Sequence, residues 1–577
     1  MRAMGRRWRA WWVVLAGVLA AGGTVEAAHP QAVFGTGGAV ASAERQATEA
    51  GLDVLRAGGN AADAAVATAL ALAVVQPQAG NLGGGGFAVV RFGGKVRALD
   101  FREVAPAGAS PSLFLDREGR PVPERSRDGA LAAGVPGSPA GLYELHRRYG
   151  RLPWRRVVRP AIRLARDGFT VSTRLAGALR RHRSRLLRDP ETAAVWLPGG
   201  EPPAAGARMT LPVLASTLEA YGERGARALT AGPLAAAVEM VARRDGGVLR
   251  AADLAAYQPV WREPVSFELA GWRVASMPLP SSGGLILAES AGMLRRVGWM
   301  DLPRFGADRA HLLVEVWRRA YADRYRLGDP QTSEATREQL LDPSWLHRRA
   351  ASIDPRHATP SKEVAPWPGT PLPEHRETTH LSVVDGEGNA VALTTTLNGS
   401  FGCGVTVPGA GYLLNNEMDD FTMAPGRPNM YGLVQGPANV VRSGRRMLSS
   451  MSPTVAWQGG EVLALGSPGG SRIPTAVLQV LLDLLVDGDG LQAAVDRPRI
   501  HHQWLPDRID AEGDALSPET EGRLRRMGHS VHLVPSLGEV HAVLRRADGL
   551  VEAAADPRGP GWAGVVRERL RPAREGR

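Results

Sequence analysis

Apolar residues recur at spacings of three and four through LYELHRRYG, VVRPAIRLARDGF and HLLVEVWRRAYADRYRLGDP, the period of a helix with one buried face. From about residue 40 to 350 the pattern therefore predicts mainly helix. AADAAVATALALAVVQPQ is apolar on all sides, but Asp63 breaks it and Gln and Pro close it, so it predicts a buried helix. Alternating stretches interrupt the helices: GFAVVRFGG with KVRALDF predicts a hairpin near 86–101, and VSFELAGWRVASMP another near 265–278. The later chain is strand-rich, with THLSVV, AVALTTTL, TVAWQGG and EVLALGS, then a helix over TAVLQVLLDLLVDG, then strands in HSVHLVP, HAVLRRADG and LVEAAADP. The expected class is α/β or α+β, with sheets sandwiched by helices. Between the halves, residues 354–377 hold six prolines and no apolar period, which predicts an exposed linker.

The first strands after that linker carry an unusual number of hydroxyls. Strands 379–384 and 390–396 flank DGEGN, a turn of residues that tolerate positive φ. Pairing symmetric about Glu387 sets Thr378 opposite Thr396, with both side chains on one face. Asn398, two residues on, is expected on that face as well. Read from these residues alone, a Thr–Thr pair inside an ordinary sheet accounts for the pattern equally well, because Thr suits a pleated surface.

Composition narrows the function classes. The net charge of +11 is almost entirely arginine, with only Lys95 and Lys362 as lysines. The arginines are scattered, and no basic run alternates with aromatics as a nucleic-acid groove requires. The N-terminus has an arginine-rich start, an apolar stretch from Trp11 to about Ala21, and small residues Val25 and Ala27 ahead of a cut after residue 27. This predicts a secretory signal peptide over 1–27 and an exported, periplasmic protein, with membrane attachment only if the signal stays uncleaved. The single cysteine, Cys403, rules out an intramolecular disulfide; flanked by glycine, it reads as a small packed residue. Glycine clusters in NLGGGGF, SSGGL and GSPGGSR lack a phosphate-loop ending and read as sites of close backbone approach. His501 and His502 lack the acid or Cys spacing that completes a metal set, and no cofactor is expected.

The segments TTHLSVVDGEGNAVALTTTLN, LLNNEMDDF, PGRPNMYGLV, LSSMSPT and GSPGGSRI resemble the small subunit of gamma-glutamyltransferases. DAAVATALALAVVQPQAGNLGGGGF, LDFREVAP, GVPGSPAGLYELHRRYG, MPLPSSGG and AYADRYRLGDP resemble the large subunit, so the similarity runs from about residue 30 to the C-terminus. The resemblance implies an N-terminal-nucleophile hydrolase: a four-layer αββα sandwich formed by two self-cleaved subunits. It places the cut at the Glu377–Thr378 bond, giving a large subunit of 28–377 and a small catalytic subunit of 378–577 that together form a heterodimer.

By the same resemblance, Thr378 is the nucleophile and Thr396 the residue that orients it. Such chemistry is sensible without a cofactor, since a threonine made into a chain terminus has its own α-amino group as base. Arg102 resembles the arginine that binds the substrate α-carboxylate, with Ser449 and Ser450 as helpers. Glu417, Asp420 and Asn398 resemble the α-ammonium site; from the residues alone the two acids read as an ordinary solvated loop. Gly469 and Gly470 are expected to present backbone N–H groups to the oxyanion, and Tyr431 resembles the lid tyrosine. His380 shares the Thr378 face, but an amino-terminal nucleophile needs no histidine base.

The implied reaction passes a γ-glutamyl group, with glutathione the expected donor, to water or to an amino acid or peptide. Two alternatives stand beside it: a glutaryl or cephalosporin-type acylase on the same fold, and a non-catalytic binding homologue. Retention of Glu417 and Asp420 favours a donor with an α-amino group.

Overall fold

A computed structural model describes residues 32–364 and 378–567. The signal-peptide expectation over 1–27 and Glu377 fall outside the described residues. Of the expected linker, 354–364 is described; it is mainly exposed apart from Ser361, which opens a short helix, Ser361–Val364.

Among the described residues, two seven-stranded antiparallel sheets dominate. The first runs, in spatial order, Val33–Gly35, Val551–Ala554, His541–Arg545, Glu461–Gly466, Thr454–Gln458, Trp272–Ser276, Val265–Leu269. The second runs Trp562–Val565, Ala39–Ser42, Thr378–Val384, Ala390–Thr396, Gly85–Phe92, Lys95–Phe101, Val260–Arg262. Both predicted early hairpins and the later strands are present. The two sheets face each other, with strands 378–384 and 390–396 packed on 461–466. Helices Gly283–Arg296, Ala307–Arg324 and Ile473–Leu481 join the first sheet's core, while Arg45–Arg56, Ala61–Val75, Ser138–Tyr149 and Trp154–Asp167 join the second's. This is the expected αββα layering, and strands from before and after residue 377 interleave in both sheets.

Helix Ala61–Val75 is buried at every position, which explains why its sequence has no polar face. Its start is closed by a reciprocal cap: the Asn60 side chain accepts from the Ala62 and Asp63 N–H groups, and the Asp63 carboxylate accepts from the Asn60 N–H at 3.0 Å. The same helix end anchors the central hairpin, because the Asp385 carboxylate accepts from the Ala61 N–H at 3.0 Å. Asp385 also accepts from the Glu387 and Asn389 N–H groups, and Gly388 takes φ +79°, so the DGEGN turn is held from inside. The resulting register pairs Thr378 with Thr396 and Val384 with Ala390, the alignment symmetric about Glu387. Helix Ile473–Leu481 passes into a π-helical turn, Leu482–Val486, which periodicity alone does not signal.

Candidate active site

The hairpin's hydroxyls divide by face. On the helix side, Thr379 donates to the Gln76 side chain at 2.8 Å and Thr395 donates to the Gly85 carbonyl at 2.7 Å. On the inter-sheet side, His380 bonds Thr394 and Ser382, and Ser382 donates to the His541 carbonyl of the opposite sheet. Burial holds the His380 imidazole well below its ordinary pKa, so it stays neutral and structural. Only the pair at the strand ends, Thr378 and Thr396, opens into a cavity, which Asn398 also lines. Asn398 lies past the strand at φ +72°, so strand alternation does not place it. It is held there because its N–H donates to the Thr396 hydroxyl at 2.8 Å and its side-chain amide donates to the Asn416 carbonyl at 3.0 Å.

The glycine run Gly83–Gly86 serves this strand end. A Cβ on Gly84 would lie 2.1 Å from the Thr396 carbonyl, and one on Gly86 2.3 Å from that of Thr394. Asn81 completes the support, donating to the Thr396 carbonyl at 2.8 Å and to the Thr395 hydroxyl at 3.0 Å.

The cavity that Thr378 lines is also charged. Arg102 directly follows strand Lys95–Phe101 and is fully buried; its guanidinium donates to Glu417, and to Asp420 at 2.5 Å. Burial works against this charge, but Glu417, Asp420 and Glu103 outweigh it and raise the Arg102 pKa. Burial also raises Glu417 and Asp420, against the pull of Arg102. The two acids are therefore buried rather than solvated. They occupy one 3₁₀ turn, Glu417–Asp420, whose entry is fixed by Asn415: its side-chain oxygen accepts from the Glu417 N–H at 3.0 Å. Asn429 donates to Asp420 at 3.0 Å.

Ser449 and Ser450 form the next wall. The Ser449 hydroxyl accepts from the Met451 N–H at 3.1 Å, while the buried Ser450 hydroxyl has no hydrogen-bond partner among the described residues. Above them, Tyr431 is buried and donates to the Asn398 carbonyl at 2.6 Å. Gly470 lies under the Tyr431 ring at φ +57°, where a Cβ would come within 2.5 Å of the ring. Gly469 takes φ +132° beside it. All the cavity-lining positions expected from sequence are brought together; Gly469 is adjacent through Gly470.

Three neighbours escaped sequence reasoning. Glu103 is buried beside Arg102, 3.9 Å from its guanidinium, with neither carboxylate oxygen hydrogen-bonded among the described residues, and burial lifts its pKa to about 7; its place next to Arg102 in LDFREVAP was the available signal. Asn81 and Arg324 lie in the quoted runs NLGGGGF and AYADRYRLGDP, but nothing in their local pattern sets them apart. Elsewhere, Cys403 is buried with its thiol pushed up to about 12 by burial. His501 bonds Thr475 and Gln503, and His502 bonds Asp507. A buried His311–Glu315–His529 cluster is internally committed: the two rings bond each other at 2.7 Å, and Arg318 and Arg319 occupy Glu315.

Two facing antiparallel sheets between helical layers, with a threonine at a central strand end opening onto a charged cavity, define the architecture of the N-terminal-nucleophile hydrolases. A model of the gamma-glutamyltranspeptidase family matches residues 47–566, and the chain belongs to that family. It is 43% identical over 528 residues to the glutathione hydrolase proenzyme of Escherichia coli, covering 90% of each chain. To the glutathione hydrolase proenzyme of Bacillus subtilis it is 34% identical, covering 96% of this chain and 97% of the relative. Among solved structures, a cephalosporin acylase from Bacillus halodurans matches with TM-score 0.82 and 26% identity over 95% of this chain and 99% of that one. The gamma-glutamyltranspeptidase of Helicobacter pylori matches with TM-score 0.55 and 37% identity over 56% of this chain and 93% of that one.

Proposed function

We propose that this chain is a gamma-glutamyltransferase and glutathione hydrolase that matures by cutting itself before Thr378. The observation that carries this is that Thr378 lines one cavity with a buried Arg102–Glu417–Asp420 cluster. A γ-glutamyl group carries an α-carboxylate and an α-ammonium a fixed number of bonds from its scissile amide. A cavity lined by guanidinium groups, two carboxylates, a threonine and a serine hydroxyl that has no hydrogen-bond partner among the described residues matches those charges.

In maturation, the Thr378 oxygen attacks the Glu377 carbonyl carbon, the peptide bond shifts to an ester, and water hydrolyses it, leaving a Glu377 carboxylate and a free Thr378 amine. In turnover, that amine takes the hydroxyl proton as the oxygen attacks the γ-carbonyl, then passes the proton to the leaving amine. The Gly469 and Gly470 N–H groups stabilise the oxyanion, and Thr396 orients the attacking oxygen. Water or an acceptor amine then releases the acyl group. Tyr431 closes the site from solvent, and an exported location follows from the N-terminal pattern.

The acylase reading has one specific support, the fold match to the cephalosporin acylase over almost the whole chain. Glu417 and Asp420 favour the transferase, because a glutaryl side chain has no ammonium for them to bind. Comparing kcat/KM on γ-glutamyl-p-nitroanilide and glutaryl-p-nitroanilide decides: the γ-glutamyl donor is expected to be favoured at least about 100-fold, the scale of a lost charge-assisted contact, and preference for the glutaryl donor would reverse the assignment.

A further inference from the structure

A second guanidinium lines the cavity. Arg324, the last residue of helix Ala307–Arg324, is 2% exposed and borders the same space as Thr378, Ser449 and Ser450. Its Nε donates to the Ser282 hydroxyl at 3.0 Å and its Nη1 to the Gln435 side-chain oxygen at 3.4 Å. Among the described residues no carboxylate lies within ion-pair distance of it. Arg102, by contrast, is already engaged by Glu417 and Asp420.

Arg324 is also tied mechanically to the serine wall. Ser282, which receives its Nε–H, donates its own hydroxyl to the Ser449 carbonyl at 2.8 Å and its N–H to the same oxygen at 2.9 Å. The guanidinium is thus linked in two steps to the Ser449 carbonyl, one residue before Ser450, whose hydroxyl has no hydrogen-bond partner among the described residues and lines the same cavity.

A buried cation without a counter-charge is unfavourable in the empty protein. Among the described residues the carboxylate whose charge reaches it, Asp420, is paired with Arg102, so an entering anion is suited to supply the partner. An incoming carboxylate meets Arg102 only in exchange for existing ion pairs, whereas it meets Arg324 with no such exchange. Resting on the function proposed above, we propose that Arg324 is a specificity residue that recognises the α-carboxylate of the acyl donor, together with Ser450 and as the second cation beside Arg102. Burial lowers its pKa to about 10, and the nearby Asp420 charge opposes that; it remains a cation at neutral pH.

Three p-nitroanilides separate the charges: γ-glutamyl carries both, glutaryl lacks the ammonium, and 4-aminobutanoyl lacks the carboxylate. Arg324→Gln is expected to lower kcat/KM about 30- to 100-fold on the two carboxylate-bearing donors, chiefly through KM, and less than about 3-fold on the 4-aminobutanoyl donor. Arg324→Lys keeps the charge but not the planar fork, so a loss of about 10-fold confined to the same two donors is expected. Equal losses on all three donors, or none on the carboxylate-bearing pair, overturn the inference. Should Arg324→Gln fail to mature, the Lys variant decides: an unchanged ratio of γ-glutamyl to 4-aminobutanoyl turnover overturns the inference and a reduced ratio supports it. A parent enzyme that cleaves none of the three overturns the proposed function itself.

Discussion

Thr378 and Thr396 stand directly opposite each other at the open end of the central hairpin, as Cα partners of adjacent antiparallel strands. The arrangement depends on register: a slip of one residue between the strands would put the two hydroxyls on opposite faces of the sheet. Asp385 and Gly388 at the turn, and Asn81 at the other end, hold the hairpin against that slip. Thr396→Val keeps the branched shape and removes the hydroxyl that accepts from the Asn398 N–H. It is expected to slow both maturation and turnover by about 10- to 100-fold with a thermal midpoint within a few degrees of the parent, measured by denaturing gel time courses and donor kinetics.

The buried Arg102 couple yields a prediction with two readouts. Arg102→Gln leaves Glu417 and Asp420 buried without their cation, so about 3–5 kcal/mol of stability should be lost, as when one member of a buried ion pair is removed. Urea unfolding measures that loss, and kcat/KM on a γ-glutamyl donor is expected to fall by at least about 100-fold. Adding Asp420→Asn to Arg102→Gln should recover part of the stability and none of the activity.

Glu103 links the site to pH. Burial is the main cause of its raised pKa, which moves from 4.5 to about 7, with Asp420 and Asp100 adding to the rise and Arg102 opposing it. Because the folded value lies above the unfolded one, its contribution to stability is fully present below about 4.5 and is lost as pH rises through about 7. Glu103→Gln cannot ionise. The difference in unfolding midpoint between parent and variant should therefore change across that window and level off above it; a difference independent of pH contradicts the assignment.

Gly470 and Tyr431 form a steric couple. Gly470→Ala introduces a Cβ 2.5 Å from the Tyr431 ring at a positive φ, so activity is expected to drop by about 10-fold or more. Combining it with Tyr431→Ala removes the clash but not the backbone strain. The double variant should show a smaller additional loss from Gly470→Ala than the parent background does.

Much of this site was legible because it lies on regular structure. The Thr378–Thr396 pair follows from period-two alternation and a symmetric turn, and the buried helix 61–75 from its unbroken apolar run. Asn398 illustrates where that reasoning stops: it reaches the site through a left-handed backbone turn, not through the strand alternation that predicted it. Glu417 and Asp420 read locally as a solvated acidic loop, since their burial depends on Arg102 more than 300 residues away. Arg324 could not be singled out for the same reason: on its helix it is one arginine among several, and only the fold shows that it has no ion pair among the described residues.

The most direct test is the chemical identity of the mature chain ends. Purified active protein should run as two fragments on a denaturing gel, the smaller beginning Thr-Thr-His-Leu at Thr378, while Thr378→Ala yields one uncut, inactive band. Active protein in which the Glu377–Thr378 bond is intact would contradict the account.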